Sequence, residues 1–277
     1  MNKFTKAGIA GLFLSLTAVM ASCGGSSTST TDTAAVTADV YPVTVGDLTL
    51  DAQPTSIISL SPSATEMLYA IGAGSQVVAV DEYSNFPAEA VTLGTKLSGF
   101  EPNIEAISGY SPDLVIVSYD PGSLVEQLKT LNIPVFVAGA AMSLENVYEQ
   151  IEQLGVLTGH SQAAIEVSKT LQTGIEDAVA SVKFAEPPLS YYYELDNTYY
   201  SVTSNTFVGQ IFNLFGMRNI ADNVESGNDY PQLSAEVIVS SDPDFIFLAD
   251  TKCCAQDATT VAARDGWGGL KAVTANQ

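Results

Sequence analysis

Histidine, tryptophan, cysteine and positive charge are all scarce in this sequence. Its 277 residues contain one His (His160), one Trp, three Cys and ten Lys plus Arg, set against 31 Asp plus Glu. One histidine and an adjacent cysteine pair, Cys253-Cys254, are too few nitrogen and sulfur ligands for a tetrahedral zinc centre. Neighbouring Cα atoms lie about 3.8 Å apart, below the usual disulfide span of about 4.4 to 6.8 Å. The pair is therefore either two free thiols or a strained ring. A formal net charge of −21 is repelled by phosphate backbones and anionic lipid headgroups, which excludes nucleic acid and suits a basic protein partner. The sequence has no G-x-S-x-G, P-loop, G-x-G-x-x-G or H-E-x-x-H motif. His160, in "LTGHSQ" between two helical segments, reads as a helix-end residue, and a hydrolase would depend on it alone. No catalytic residue and no cofactor is expected.

The first 22 residues carry Lys3 and Lys6, an apolar stretch from Ala7 to Met20 and small residues before Cys23. The stretch is short for a membrane span and has the layout of a secretory signal. "MASC" resembles the lipobox of bacterial lipoproteins, in which the cysteine is acylated. Residues 1–22 are thus expected to be a lipoprotein signal peptide and Cys23 the lipidation site, with a plain signal peptide or an uncleaved anchor as the alternative. Residues 23–38, rich in Gly, Ser, Thr and Ala, have the composition of a flexible tether.

The remaining sequence repeats a phrase. "EAISGYSPDLVIVSYD" begins at Glu105 and "EVIVSSDPDFIFLAD" begins at Glu236. In each, a Glu is followed seven residues later by Pro-Asp and then by four apolar residues. Around both copies the text alternates strand and helix, which builds parallel sheets. "SIISL" leads into "SPSATEMLYAIGAG", where Ser63 and Glu66 have capping-box spacing and Gly72 is a stop. "QVVAV", Leu114–Val117 and the end of "LVEQLKTLNIPVFVAG" read as further strands. From Ser143 to about Lys183 two helices follow, and Ile165, Leu171, Ile175, Val179 and Val182 form an apolar stripe on the second. "LSYYYELD" opens a second series, in which "TSNTFVGQIFNLFG" parallels "SPSATEMLYAIG". The expected fold is α/β, with two Rossmann-like lobes of parallel sheet joined by a long helix and a ligand cleft between them. The boundaries are 39–160 for the N-terminal lobe, 161–185 for the linking helix and 186–277 for the C-terminal lobe. The latter reads as one strand and one helix short.

In open parallel sheets ligands bind beyond the carboxyl ends of the strands. That rule selects the loop from Ser61 to Thr65, Tyr83 to Phe86, Tyr119 with Asp120, Tyr199, Tyr200, Asn205 and Asp250. Aromatics crowd these positions, with Phe100 and Tyr230 added, and tyrosine joins a broad apolar face to one polar tip. Glu105 and Glu236 occupy the same place in each lobe. Each either favours the positive end of its helix dipole or belongs to a matched pair presented to a two-fold symmetric partner.

The stretches "IISLSPSATEMLYAIGAGSQVVAVDEYSNFPAEA", "PNIEAISGYSPDLVIVSYD" and "YPQLSAEVIVSSDPDFIFLAD" resemble the substrate-binding lipoproteins of ABC importers for cobalamin, ferric siderophores and haem, the cobalamin binders above all. The resemblance implies a corrinoid ligand in the cleft, with Tyr83, Tyr119, Tyr199 and Tyr230 where cleft residues lie. It also implies that Glu105 and Glu236 dock on arginine pockets of an ABC permease dimer with its ATPase subunits, and that a lipid anchor is the sole membrane contact. The location implied is the outer face of the cytoplasmic membrane. Two arginines, Arg218 and Arg264, are few for anionic siderophores, whereas haem stays open through a Tyr ligand. From another class, a secreted hydrolase or a surface interaction protein on the same scaffold remains the alternative.

Overall fold

The computed structural model describes residues 39–95 and 97–277, which lie within one compact unit. The leader, Cys23 and the 23–38 tether lie outside the described residues. The first element is a hairpin that the sequence reading did not anticipate. Strands β1 (Val43–Val45) and β2 (Leu48–Leu50) pair antiparallel around Gly46-Asp47, with Val43 opposite Leu50. Gly46 takes φ +55, a left-handed conformation that glycine adopts without a Cβ penalty.

The first lobe follows as β3 (Ile57–Leu60), α1 (Pro62–Ala70), β4 (Val77–Val80), α2 (Ala88–Thr92), α3 (Ile104–Ser108), β5 (Leu114–Val117), α4 (Leu124–Thr130) and β6 (Val135–Val137). All four long-sheet strands run parallel, in the order β4-β3-β5-β6. Helices cover both faces, so the strands are apolar except for Ser59 of β3. Along β5, Leu114 and Ile116 enter a core with Leu68 of α1, while Val115 and Val117 enter the opposite core with Ile107 of α3 and Leu128 of α4. The start of α1 differs from expectation. Its cap is Ser61, whose side chain accepts from the Ala64 N–H, because Pro62 occupies the first helical position; proline is pre-organised there and needs no N–H. Ser63 and Glu66 therefore sit inside the helix and form no capping box.

Two long helices complete this half, α5 (Leu144–Thr158) and α6 (Ser161–Ser181). Gly155 lets them meet, since a Cβ there would collide with that of Ala164. The apolar stripe read on α6 is not its packed face. Ala164 and Ser168 are buried, while Ile165 is 50% and Leu171 38% exposed. Small residues give the closest helix approach, so the contact falls on them. His160 stands at the N-cap position of α6, with Nδ1 2.9 Å from the Thr158 carbonyl.

The second lobe repeats the plan with β7 (Ser190–Glu194), α7 (Phe207–Leu214), β8 (Arg218–Asn219), α8 (Ala235–Ser241), β9 (Phe245–Leu248), α9 (Thr251–Cys254), α10 (Ala258–Ala262) and α11 (Lys271–Ala275). Its parallel sheet has the order β8-β7-β9. Among the described residues it holds three strands against four in the first, so β9 is an edge. Trp267 and Tyr192 pack on one face with Ile238. Phe212 and Phe247 close over Tyr191 on the other, with centroids 4.4 and 6.2 Å away.

The repeated phrase has a structural use in both lobes. Asp113, from the first Pro-Asp, accepts from Thr55 N (2.8 Å), Thr55 Oγ1 (2.8 Å) and Ser56 N (3.0 Å), fixing the entry to β3. Asp244, from the second, accepts from Ser190 N (2.8 Å) and Ser190 Oγ (2.9 Å) at the start of β7. These hydrogen bonds favour the charged form. The backbone N–H of Thr55 leads in holding the Asp113 carboxyl below the ordinary value, and that of Ser190 does so for Asp244.

Candidate functional site

At the carboxyl ends of β3 and β4 a chain of buried hydroxyls ends on a carboxylate. Thr65 Oγ1 donates to Ser59 Oγ (2.8 Å) and lies 2.9 Å from Ser84 Oγ, which donates to Asp81. Asp81 is 4% exposed, so these bonds must satisfy it. They lock the turn that carries Tyr83 and Phe86. A second loop approaches the same point at Gly99, where a Cβ would lie 2.8 Å from the Leu60 carbonyl oxygen. Only a glycine lets this backbone come so close, and Phe100 is the next residue.

The two loops bring three of the expected residues together. Tyr83 meets Phe100 edge-on with centroids 5.7 Å apart, and Phe100 meets Tyr119 at 6.3 Å. The Tyr119 hydroxyl donates to the Phe100 carbonyl at 3.5 Å. All three rings stay open to solvent, at 55%, 64% and 42% exposure. The three exposed rings in contact form one continuous apolar wall. Phe86, also exposed, lines with Ser61 and Ser118 a cavity of about 1280 Å³ between α1, α5 and α6.

In the second lobe the expected residues divide. Asn205 Nδ2 donates to Asp229 Oδ1 (3.0 Å), which also accepts from Thr203 Oγ1 (2.7 Å), so Asn205 stands beside exposed Tyr230. Tyr200 is exposed and bridges to Gln232. Tyr199 turns inward. It is half-buried and stacks on Trp267 at 5.7 Å, with the Arg264 guanidinium 5.6 Å from its ring centroid and 4.6 Å from that of Trp267. Arg264 forks onto Glu194 with two bonds of 2.6 Å, and the Glu194 side chain is fully buried. Those hydrogen bonds raise the guanidinium above its ordinary value. The pairing spans 70 residues, and no local pattern announced Glu194, Arg264 or Trp267 as a unit. Asp250, at the end of β9, is buried rather than on the loop surface.

Glu105 and Glu236 are both exposed, in the first turns of α3 and α8. Asn103 caps α3 by accepting from Ala106 N, and Ser234 caps α8 by accepting from Val237 N. Each Glu is thus two residues past a side-chain cap, on equivalent helices of the two lobes. Among the described residues no group of three or more His, Cys, Asp and Glu is arranged to hold a metal, and no helix is long and apolar enough to cross a membrane.

Two parallel α/β lobes joined through one long helix, with loops gathered at the strand ends, define a two-lobed binding-protein architecture. Residues 57–277 match the family described as periplasmic binding protein, and the chain belongs to it. It is 35% identical over 218 residues to a cobalamin-binding protein of Halobacterium salinarum, a match that covers 74% of this chain but 58% of the archaeal protein. It is 29% identical over 281 residues to the ABC transporter substrate-binding lipoprotein YvrC of Bacillus subtilis, covering 97% and 87% of the two chains. Among solved structures, the vitamin B12 binding protein BtuF of Vibrio cholerae superposes with a TM-score of 0.63 at 26% identity, over 81% of this chain and 86% of that one. The haem binding protein HutB of the same organism has a TM-score of 0.69 at 24% identity, over 80% and 87%. The second shows the fold alone.

Proposed function

We propose that this protein captures cobalamin or a related corrinoid for an ABC importer and delivers it to the permease. The observation that carries the reading is the Tyr83–Phe100–Tyr119 wall, three exposed rings on one lobe of an acidic chain with ten Lys and Arg against 31 Asp and Glu. A corrinoid is bulky and apolar-faced with amide rims, so broad aromatic surface and phenolic tips suit it better than guanidinium clamps would. Tyr200, Asn205 and Tyr230 furnish the facing wall, and Tyr199 supports it from beneath. Chemistry is limited to binding and release, without catalysis and without a resident cofactor.

Glu105 and Glu236 are the docking pair, one per lobe, for a two-fold permease that carries its ATPase subunits. The protein is exported and held by acylated Cys23 to the outer face of the cytoplasmic membrane. YvrC, a lipoprotein by name, matches over nearly the whole of this chain and supports that location.

A second reading takes haem as the ligand, because Tyr83, Tyr119, Tyr200 and Tyr230 offer exposed phenols able to ligate iron. Calorimetric titration separates the two, with cyanocobalamin, haemin and a ferric siderophore as parallel titrants. Saturable one-to-one binding of cyanocobalamin alone is expected. Binding of haemin alone, with a Soret band lost in a cleft Tyr→Phe variant, would replace the corrinoid reading.

A further inference from the structure

Cys253 and Cys254 are bonded to each other through their Sγ atoms in α9, and both residues are exposed. A bridge between neighbours closes an eight-membered ring through the peptide that joins them, so it fixes that peptide and the N–Cα torsion of Cys254, from which the Cys254 carbonyl hangs just outside the ring. The next residue, Ala255, is held at φ +53, a left-handed conformation that a Cβ disfavours. The Cys254 carbonyl has a specific partner. Gln256 Nε2 donates to it (3.2 Å), while Gln256 Oε1 accepts from Arg264 Nη2 (2.8 Å). Arg264 in turn forks onto buried Glu194 and lies over Tyr199 and Trp267. An exposed cysteine bridge is therefore linked by one glutamine side chain to the cation beneath a tyrosine of the second lobe.

We infer that Cys253-Cys254 is a redox-modification site whose state is transmitted through Gln256 to the Arg264–Tyr199–Trp267 stack. A dithiol reductant acts as follows. Its thiolate attacks one sulfur, the Cys253–Cys254 bond breaks, and the second reductant thiol displaces the mixed disulfide. Two electrons and two protons end on the pair as two thiols, and the reductant closes to its own disulfide. Adjacent cysteines span less than an ordinary disulfide requires, which makes the bond easier to reduce. Once the ring opens, the N–Cα torsion of Cys254 is released and the carbonyl it carries shifts, so Gln256 loses its anchor and Arg264 keeps only Glu194.

The chain has one tryptophan, so its emission reports this stack without any ligand. The experiment compares the full chain before and after dithiothreitol, and after reoxidation. Alkylation followed by mass measurement counts the thiols, and acrylamide quenching follows Trp267. Reduction is expected to add two alkylatable thiols, shift Trp267 emission and raise its quenching, all reversed on reoxidation. Cys253→Ser/Cys254→Ser should match the reduced protein, and Gln256→Ala should match it and no longer respond to reductant. Superimposable emission in the two states would overturn the inference. So would a pair that stays alkylatable under oxidising conditions, or loss of the cooperative melt on reduction, which would make the bridge a structural staple.

The consequence for binding rests on the corrinoid reading. Loss of one hydrogen bond to a charged group should weaken cyanocobalamin binding roughly tenfold in the reduced state. An emission change without cyanocobalamin binding in either state would reject that ligand and leave the redox site standing. Equal binding in both states would reject the transmission to the cleft.

Discussion

Arg264→Met isolates the charge at the centre of the second lobe. Glu194 has a fully buried side chain and receives two 2.6 Å bonds from Arg264, itself 13% exposed. Removing the cation leaves a buried carboxylate without a counter-charge, which costs about 3–5 kcal/mol. For a folding unit of this size that corresponds to a fall in Tm of ~10 °C. Replacing both partners, as Arg264→Met/Glu194→Leu, removes the orphaned charge as well and should recover at least ~2 kcal/mol of the loss. Urea unfolding followed by far-UV circular dichroism measures both variants, a signal that does not depend on Trp267. Added salt at about 1 M should alter the wild-type midpoint little through this pair, since screening acts mainly on exposed charges. A single variant within ~1 kcal/mol of wild type, or a double variant no better than the single, would refute the reasoning.

Three further outcomes are expected. Glu105→Ala/Glu236→Ala should leave Tm and cyanocobalamin binding nearly unchanged, because each residue contributes only about 0.3–1 kcal/mol to its helix dipole, yet abolish stimulation of the permease ATPase; surviving transport would remove the docking role. Asp113 and Asp244 titrate below the ordinary carboxylate value in the folded state, so they contribute stability above about pH 4 that is lost as pH falls through their folded values. Asp113→Asn/Asp244→Asn should therefore be less stable than wild type at pH 7 and converge with it at low pH, whereas parallel urea-midpoint curves would contradict the clamp. Gly99→Ala places a Cβ 2.8 Å from the Leu60 oxygen and should push Phe100 out of the wall, lowering cyanocobalamin affinity about tenfold, and unchanged affinity would show that the wall is not built by that approach.

Strands were the most legible part of the fold. β5 and β9 follow a Pro-Asp and are apolar for their whole length, a pattern that only a sheet covered on both faces explains. The hairpin β1–β2 escaped because strands of three residues carry too little period to register. The packed face of α6 escaped for another reason. Periodicity marks large apolar residues, but the tight contact with α5 is made by Ala164 against Gly155, and small residues carry no hydrophobic signal. At the site, Tyr83 and Tyr119 fall under the rule that ligands sit at strand ends, because they lie three and two residues past β4 and β5, whereas Phe100 is far from either strand and entered only as one of the crowded aromatics. Tyr199 satisfied the same rule yet faces inward, since its direction is decided by Trp267 and Arg264 from a distant stretch of chain.

The repeated phrase couples these observations. In each lobe it supplies a capped helix that presents a Glu, then a Pro-Asp that clamps the entry of the central strand, then the strand that lies beside it. β5 pairs with β3, and β9 pairs with β7. The Glu is therefore referenced to the sheet through a helix, one turn and a set of hydrogen bonds, with no long loop between. Within a lobe its position is stiff. Between lobes, Glu105 and Glu236 are related only through α6 and contacts such as Gln210 Nε2 donating to the Met142 carbonyl (2.9 Å). A change in lobe angle must then appear as a change in the separation of the two carboxylates. For a two-fold partner that engages both at once, effective affinity depends steeply on that separation. On the proposed docking role, docking strength would report how the lobes are set around a ligand, and the repetition of the phrase would make the two ends of that measurement equivalent.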